Sequence, residues 1–83
     1  MVYINYYPRV LKQLSKLPKN EQKRILEKIE NLSKDKRSGK NLQGELRGYY
    51  SVRAWPYRII YEITKGRIFI VSVAHRREVY KKK

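Results

Sequence analysis

Cysteine is absent from this chain of 83 residues, and histidine occurs once. The absence of cysteine excludes a disulfide framework and a thiolate metal site, and one histidine cannot by itself form a histidine-based metal centre. We therefore expect the protein to use neither a metal ion nor another cofactor.

Long apolar runs are absent as well. The first ten residues, MVYINYYPRV, lack the apolar stretch of a signal peptide, and no segment approaches the roughly 18 apolar residues that span a bilayer. The amphipathic segments need their apolar stripes for the core, which leaves none for insertion into a membrane surface. These features predict a cytoplasmic protein that does not bind membranes.

Acidic residues are few, because 7 Asp and Glu stand against 21 Lys and Arg, for a formal net charge of +14. Such an excess of positive charge repels itself in a compact domain unless a polyanion or an acidic protein offsets it.

The length predicts one small domain over residues 1–83, since a chain of this size buries only about 60% of its extended surface. A hydrophobic content of 41% indicates a folded domain rather than a disordered chain.

The N-terminal half predicts a strand and two helices. Residues 2–7, VYINYY, have the β-branched and aromatic character of a strand, and Pro8 fits the first turn of a helix. Apolar residues then recur with helical spacing at Val10, Leu11, Leu14 and Leu17, and again at Ile25, Leu26, Ile29 and Leu32. Pro18 should end the first helix, and Asn20 should cap the second, with Glu21 in its positively polarised first turn.

A polar, basic loop over residues 33–44, held down by Leu42, should separate the helices from a region with a period of two. One face of the first strand there takes Leu46, Gly48, Tyr50, Val52 and Ala54, and the other takes Arg47, Tyr49, Ser51, Arg53 and Trp55. Pro56 predicts a turn into a second alternating strand, which ends at a hairpin turn with Gly66 at positive φ.

The last strand, from about Arg67 to Ala74, is apolar on both faces and should be central in the sheet. The whole pattern predicts an α+β fold in the order β-α-α-β-β-β. In this fold an antiparallel sheet carries a two-helix hairpin on one face.

Basic and aromatic residues interleave on the sheet face that the helices should leave open. This face gathers Tyr49, Ser51, Arg53, Trp55 and Arg58, and the end of the last strand adds His75, Arg76 and Tyr80. Guanidinium groups bind phosphate oxygens and aromatic rings stack on unpaired bases, so the combination suits single-stranded RNA better than duplex DNA. Taken singly, Arg47 and Arg53 also suit solvated positions, and Trp55 suits packing as well as stacking.

Three segments resemble the RelE/ParE toxin superfamily, in its RelE-like branch. They are the run LQGELRG, the stretch from Arg53 to Tyr61, and the closing HRREVY. The resemblance extends over nearly the whole chain and implies an mRNA interferase that cleaves mRNA in the ribosomal A site. It also implies an acidic cognate antitoxin, with operator DNA contacted only through the antitoxin complex.

The resemblance implies roles for single residues. Arg58, Arg76 and Tyr80 match the arginines and the C-terminal tyrosine used by RelE-like nucleases, while Arg47, Tyr49, Ser51, Arg53, Trp55 and Arg77 are the expected RNA-binding residues. The chain departs from the family at Tyr49 and Ser51, where its best-known member has catalytic lysines. Trp55 and Pro56 also replace the small turn residues commonly found there.

The general base of the implied reaction must be a residue other than arginine, because a guanidinium stays protonated in proteins. Two residues are candidates. The resemblance favours Tyr80, and His75 is the alternative, since an imidazole accepts protons near neutral pH. Two other functions also remain. One is ParE-like inhibition of DNA gyrase, against which Arg58, Arg76 and Tyr80 argue, and the other is a catalytically degenerate nucleic-acid-binding module.

Overall fold

The fold consists of two helices and a five-stranded sheet, in a computed structural model that describes residues 3–34, 39–41 and 48–75. In chain order the elements are β1 (Ile4–Tyr6), α1 (Pro8–Ser15), α2 (Lys19–Leu32), β2 (Lys40–Asn41), β3 (Tyr49–Ala54), β4 (Tyr57–Thr64) and β5 (Arg67–His75). The α+β class and the predicted order of elements are confirmed. β2 is an additional short strand inside the segment that the sequence predicts to be a loop, and Leu42 lies outside the described residues.

The strands lie in the order β1-β5-β4-β3-β2. β2, β3, β4 and β5 pair antiparallel along this order, whereas β1 pairs with β5 in parallel. A tight hairpin turn imposes antiparallel pairing, but β1 reaches β5 only after the chain has passed through both helices, which permits the parallel direction. β5 therefore has a neighbour on each side, as its apolar residues predict.

The β4–β5 hairpin confirms the turn chemistry predicted for Gly66. Lys65 has φ 51° and Gly66 has φ 77°. Positive φ at both central residues is the geometry whose twist matches the twist of the flanking strands. The β3–β4 connection is the turn at Trp55 and Pro56, whose peptide bond is cis.

The core lies between the helices and one face of the sheet. Its buried residues are Val10 and Leu14 from α1, Ile25, Ile29 and Leu32 from α2, and Ala54, Ile59, Tyr61, Ile68, Ile70 and Val73 from the strands. The ring of Tyr61 is fully buried and stacks on that of Tyr50, with 5.3 Å between centroids. Its hydroxyl accepts a hydrogen bond of 3.0 Å from the Gly39 N–H, which satisfies this buried oxygen.

The helix boundaries differ from those predicted. α1 ends at Ser15, and Leu17 packs against the core from beyond the helix. Asn20 is not the cap of α2, because the helix begins at Lys19 and the carbonyl of Pro18 already accepts hydrogen bonds from the next turn. Glu21 lies in the first turn, as predicted.

Two residues of the predicted apolar stripes face solvent. Leu11 is 58% exposed and Leu26 is 40% exposed, whereas Ile25 beside it is fully buried. The buried stripe on each helix is therefore narrower than the apolar pattern indicates. Neither α1 nor α2, the helices of the described ranges, is long and apolar enough to cross a membrane.

A β-bulge interrupts the pairing of β4 with β5. Ile60 pairs with Ser72 and Tyr61 pairs with Ile70, so Val71 is an extra residue on β5. One extra residue exchanges the two faces of a strand beyond that point. In a regular strand Val73 and His75 would share a face with Phe69 and Val71, because alternate residues lie on the same side. The bulge instead places Val73 and His75 on the side of the sheet that carries the core.

Gln13 of α1 holds the bulged segment. The Val73 N–H donates to its Oε1 at 2.7 Å, and its Nε2 donates to the Ser72 hydroxyl at 3.3 Å. β1 pairs with β5 only as far as Ile70, so the side chain of Gln13 replaces a strand partner for the following residues. The sequence signal for this role is a polar residue inside the apolar stripe of α1.

Two tyrosines link β1 to the rest of the fold. The Tyr7 hydroxyl donates a hydrogen bond of 2.9 Å to Oε2 of Glu62 on β4, and this bond is the main reason that the pKa of Tyr7 is raised above its usual value. The pKa of Tyr6 is raised mainly by burial and further by the negative charge of Glu30. Both shifts mean that the folded protein prefers neutral tyrosines.

We predict that these tyrosines contribute stability that is lost in alkali. Because their folded pKa values exceed the unfolded value of about 10, the contribution is complete below pH 10 and declines as the pH rises through the folded pKa values. The measurement is urea unfolding of the wild type and the Tyr6→Phe, Tyr7→Phe double variant between pH 8 and pH 11.5. The free energy of unfolding should fall more steeply with pH in the wild type, and parallel curves would contradict this explanation.

Candidate functional site

Two arginines lie directly opposite each other on the sheet face that the helices leave open. Arg53 of β3 and Arg58 of β4 are register partners on either side of the turn at Trp55 and Pro56. Like charges placed opposite each other on paired strands destabilise a sheet, by up to about 1 kcal/mol. An arrangement that costs stability is expected where a surface is built to bind a ligand of opposite charge.

The side chain of Arg58 extends from β4 towards Ser51 on the neighbouring strand β3. Its Nη1 donates a hydrogen bond of 3.0 Å to Oγ of Ser51, which is only 2% exposed, and its Nε is buried. A guanidinium presents its donors in a fixed plane, so this bond restricts the orientation of the whole group. The sequence predicts both residues at this site, and the structure brings them together.

Aromatic groups lie around the arginine pair. Trp55 is 54% exposed at the turn, and the guanidinium carbon of Arg53 lies 6.0 Å from the centre of its ring. Tyr49 lies half-buried at the other end of β3, on the same face as Ser51 and Arg53. Four of the predicted RNA-binding residues therefore share one face, namely Tyr49, Ser51, Arg53 and Trp55.

Tyr7 and Glu62 are residues of this face that the sequence analysis does not select. Glu62 is the register partner of Tyr49 and accepts the hydrogen bond from the Tyr7 hydroxyl. A signal was available in the sequence, because Glu62 is the only acidic residue between positions 48 and 75. The reach of Tyr7 across β5 could not be inferred without the topology of the sheet.

His75 does not lie beside Arg58, contrary to our expectation of one shared face. It pairs with Tyr57 and contacts that ring edge-on, with 5.9 Å between centroids. The imidazole lines an open cleft of about 540 Å³ against α1, together with Arg9, Lys12 and Lys16. The bulge at Val71 explains the difference, because it exchanges the faces of β5 beyond that residue.

The other predicted site residues, Arg47, Arg76, Arg77 and Tyr80, lie outside the described residues. Ala74 is the register partner of Arg58, so β5 ends beside the arginine pair.

The described face provides hydrogen-bond donors, positive charge and aromatic rings. Within the described ranges, no group of three or more His, Cys, Asp or Glu residues is placed to hold a metal ion. Guanidinium groups suit the binding of phosphate oxygens and the stabilisation of negative charge that develops on them. The face therefore suits a phosphodiester ligand with unpaired bases.

The chain is similar to solved toxin structures over most of its length. A chain of the RelBE2 toxin–antitoxin complex from Mycobacterium tuberculosis is 30% identical, with a TM-score of 0.81, and the match covers 90% of this chain and 98% of that one. A chain of the RelB–RelE complex from Methanococcus jannaschii is 26% identical, with a TM-score of 0.75 and coverage of 93% and 95%.

The isolated RelE toxin of E. coli shares the fold with a TM-score of 0.77 at 24% identity, over 98% of this chain and 93% of that one. No functionally curated protein matches the chain in sequence. The family model of the ParE toxin of type II toxin–antitoxin systems matches residues 4–80, which is nearly the full length. The chain therefore belongs to this toxin family, within the RelE/ParE superfamily.

Proposed function

We propose that the protein is a ribosome-dependent endoribonuclease toxin, which cleaves mRNA in the ribosomal A site in the cytoplasm and thereby inhibits translation. The observation that carries this proposal is the Arg53–Arg58 pair on the open face, with the Arg58 guanidinium directed at Ser51. The likeness to RelE structures and the net charge of +14 support it.

The reaction requires no metal ion in this proposal. A 2′-hydroxyl attacks the adjacent phosphorus as a base takes its proton, the bond from phosphorus to the 5′-oxygen breaks, and that oxygen receives a proton. The products are a 2′,3′-cyclic phosphate and a 5′-hydroxyl. Arg58 and Arg76 stabilise the negative charge of the phosphorane, a contribution of about 3 kcal/mol for a well-placed donor.

Tyr80 is the proposed general base and His75 is the alternative. The resemblance favours Tyr80, and the described geometry counts against His75, because His75 pairs with Tyr57 on the helix-bearing side of the sheet, whereas Arg58 occupies the opposite face. A general base must come within about 3 Å of the hydroxyl that it deprotonates, directly or through one water molecule. A phosphate held by Arg58 lies across the sheet from the imidazole.

The proposed protein partner is an acidic cognate antitoxin. Several structures similar to this chain are toxin–antitoxin complexes, and a charge of +14 favours an acidic partner. A helical antitoxin segment would silence the toxin by lying against the basic face or by displacing the C-terminal residues. Operator DNA would be contacted only through the complex with the antitoxin.

We expect primer extension on programmed ribosomes to reveal cleavage in the A-site codon. Naked RNA should be a poor substrate, because alignment by the ribosome supplies about 7 kcal/mol or more of the barrier reduction. Arg58→Ala should slow single-turnover cleavage by roughly a hundredfold, because it removes charge complementary to the phosphorane. Arg24→Ala is the matched control, since Arg24 pairs with Glu21 on α2, and it should cleave at the wild-type rate.

Equal rates for Arg58→Ala and the wild type would show that Arg58 is structural or merely solvated. Efficient cutting of naked mRNA would contradict the dependence on ribosomes. A supercoiling assay with DNA gyrase tests the alternative function, and inhibition of gyrase without any cleavage of RNA would replace the proposal.

The identity of the base is tested by two conservative substitutions. Tyr80→Phe keeps the ring but removes the ionisable oxygen, so the cleavage rate should fall by about a hundredfold or more while ribosome affinity is retained. His75→Gln should have little effect on the rate or on its dependence on pH. Single-turnover rates across the pH range decide the matter, and a Tyr80→Phe rate within threefold of the wild type would reject Tyr80 as the base.

A further inference from the structure

Tyr7, Tyr49 and Glu62 meet on the same open face as Arg58, and we call these three residues the Glu62 subsite. Tyr49 and Glu62 are cross-strand partners, and the Tyr7 hydroxyl donates to Oε2 of Glu62 at 2.9 Å. All three side chains are half-buried and therefore keep part of their surface accessible. The subsite thus combines two aromatic rings with one negative charge.

A carboxylate has an unusual position on a face suited to a polyanion. It repels phosphate oxygens, so it does not serve the binding of an RNA backbone. The hydrogen bond from Tyr7 restricts the position of this carboxylate. A carboxylate has about four acceptor positions on its two oxygens, so this bond leaves acceptor capacity for a donor from a ligand.

The distance from the arginines places the subsite beside the neighbouring nucleotide. The Arg58 guanidinium contacts Ser51, and Tyr49 lies two residues before Ser51 on the same face of β3. Two residues of a strand span about 7 Å. A phosphate bound by Arg58 therefore leaves an adjoining base within reach of Tyr49 and Glu62.

Hydrogen-bond chemistry selects among the four bases. A carboxylate only accepts, and guanine presents two donors side by side on its Watson–Crick edge, the N1–H and the N2 amine. Adenine and cytosine present an amine beside an acceptor nitrogen, and uracil presents one N–H between two carbonyl oxygens. Aromatic rings stack on any base, so Tyr7 and Tyr49 contribute affinity, whereas Glu62 determines which base is bound.

We propose that the Glu62 subsite recognises a guanine next to the cleaved linkage, with Glu62 accepting from its N1–H and N2 amine and the tyrosines packing against its ring. This inference rests on the proposed function. It makes Glu62 a specificity-determining residue of the open face, with no role in transferring the protons of the cleavage reaction.

The test compares guanine with inosine, which lacks only the N2 amine. Synthetic mRNAs carry guanine or inosine at each position of the A-site codon in turn, and single-turnover cleavage is measured on programmed ribosomes. At one position, inosine should slow the wild type by about fivefold or more, the discrimination expected for a good bidentate pair. Glu62→Gln has one acceptor oxygen and an amine donor, so its ratio of guanine to inosine rates should fall below about twofold.

Two further variants separate recognition from structural effects. Glu27→Gln makes the same change of charge on an exposed position of α2, and it should keep the wild-type ratio. Tyr7→Phe keeps the ring but frees the Glu62 carboxylate, so its ratio should lie between those of the wild type and Glu62→Gln. Wild-type rates within twofold for guanine and inosine at every codon position would overturn the inference, and so would an unchanged ratio in Glu62→Gln.

Binding measurements keep the inference testable if the wild type does not cleave mRNA at all. That outcome would contradict the proposed function alone. Fluorescence anisotropy with short single-stranded oligonucleotides would then compare the affinities for guanine and inosine. Tighter binding of guanine by the wild type, abolished in Glu62→Gln, would support the subsite, and equal affinities would reject it.

Discussion

The register of β4 between β3 and β5 is the constraint on which both the core and the site depend. Ile59 and Tyr61 point into the core, and the residues between and beside them, including Arg58 and Glu62, point to the opposite face. A slip of one residue would exchange the two sets, burying an arginine and a carboxylate and exposing the largest core side chains. Burial of the apolar residues therefore fixes the positions of the charges that face a ligand.

The two faces of the sheet have different physical roles. The helix-bearing face is apolar and closed around Tyr61, whereas the open face carries opposed arginines, half-buried tyrosines and the Glu62 carboxylate. Opposed arginines reduce the stability of the isolated protein, and a phosphate chain or an acidic protein restores it by neutralising them. The same electrostatic feature accounts for both the RNA binding and the acidic antitoxin that we propose.

The sequence predicts those parts of the structure that depend on local periodicity. The alternation from Tyr49 to Thr64 predicted β3, β4 and their faces, and Gly66 predicted the hairpin turn. Long-range contacts determine the parts that it did not predict. The short strand β2 exists only through its pairing with β3, and the bulge at Val71 places His75 across the sheet from Arg58. Likewise, the contact of Tyr7 with Glu62 requires β1 to lie beside β5.

The central claim is that the open face positions a 2′-hydroxyl for attack on the phosphate beside it. The most direct measurement uses programmed ribosomes whose mRNA has a single 2′-deoxynucleotide on the 5′ side of the cleaved linkage in the A-site codon. We predict that this one substitution abolishes cleavage at that linkage, while the all-ribose mRNA yields a 2′,3′-cyclic phosphate and a 5′-hydroxyl. Cleavage of both mRNAs at the same rate would contradict the account.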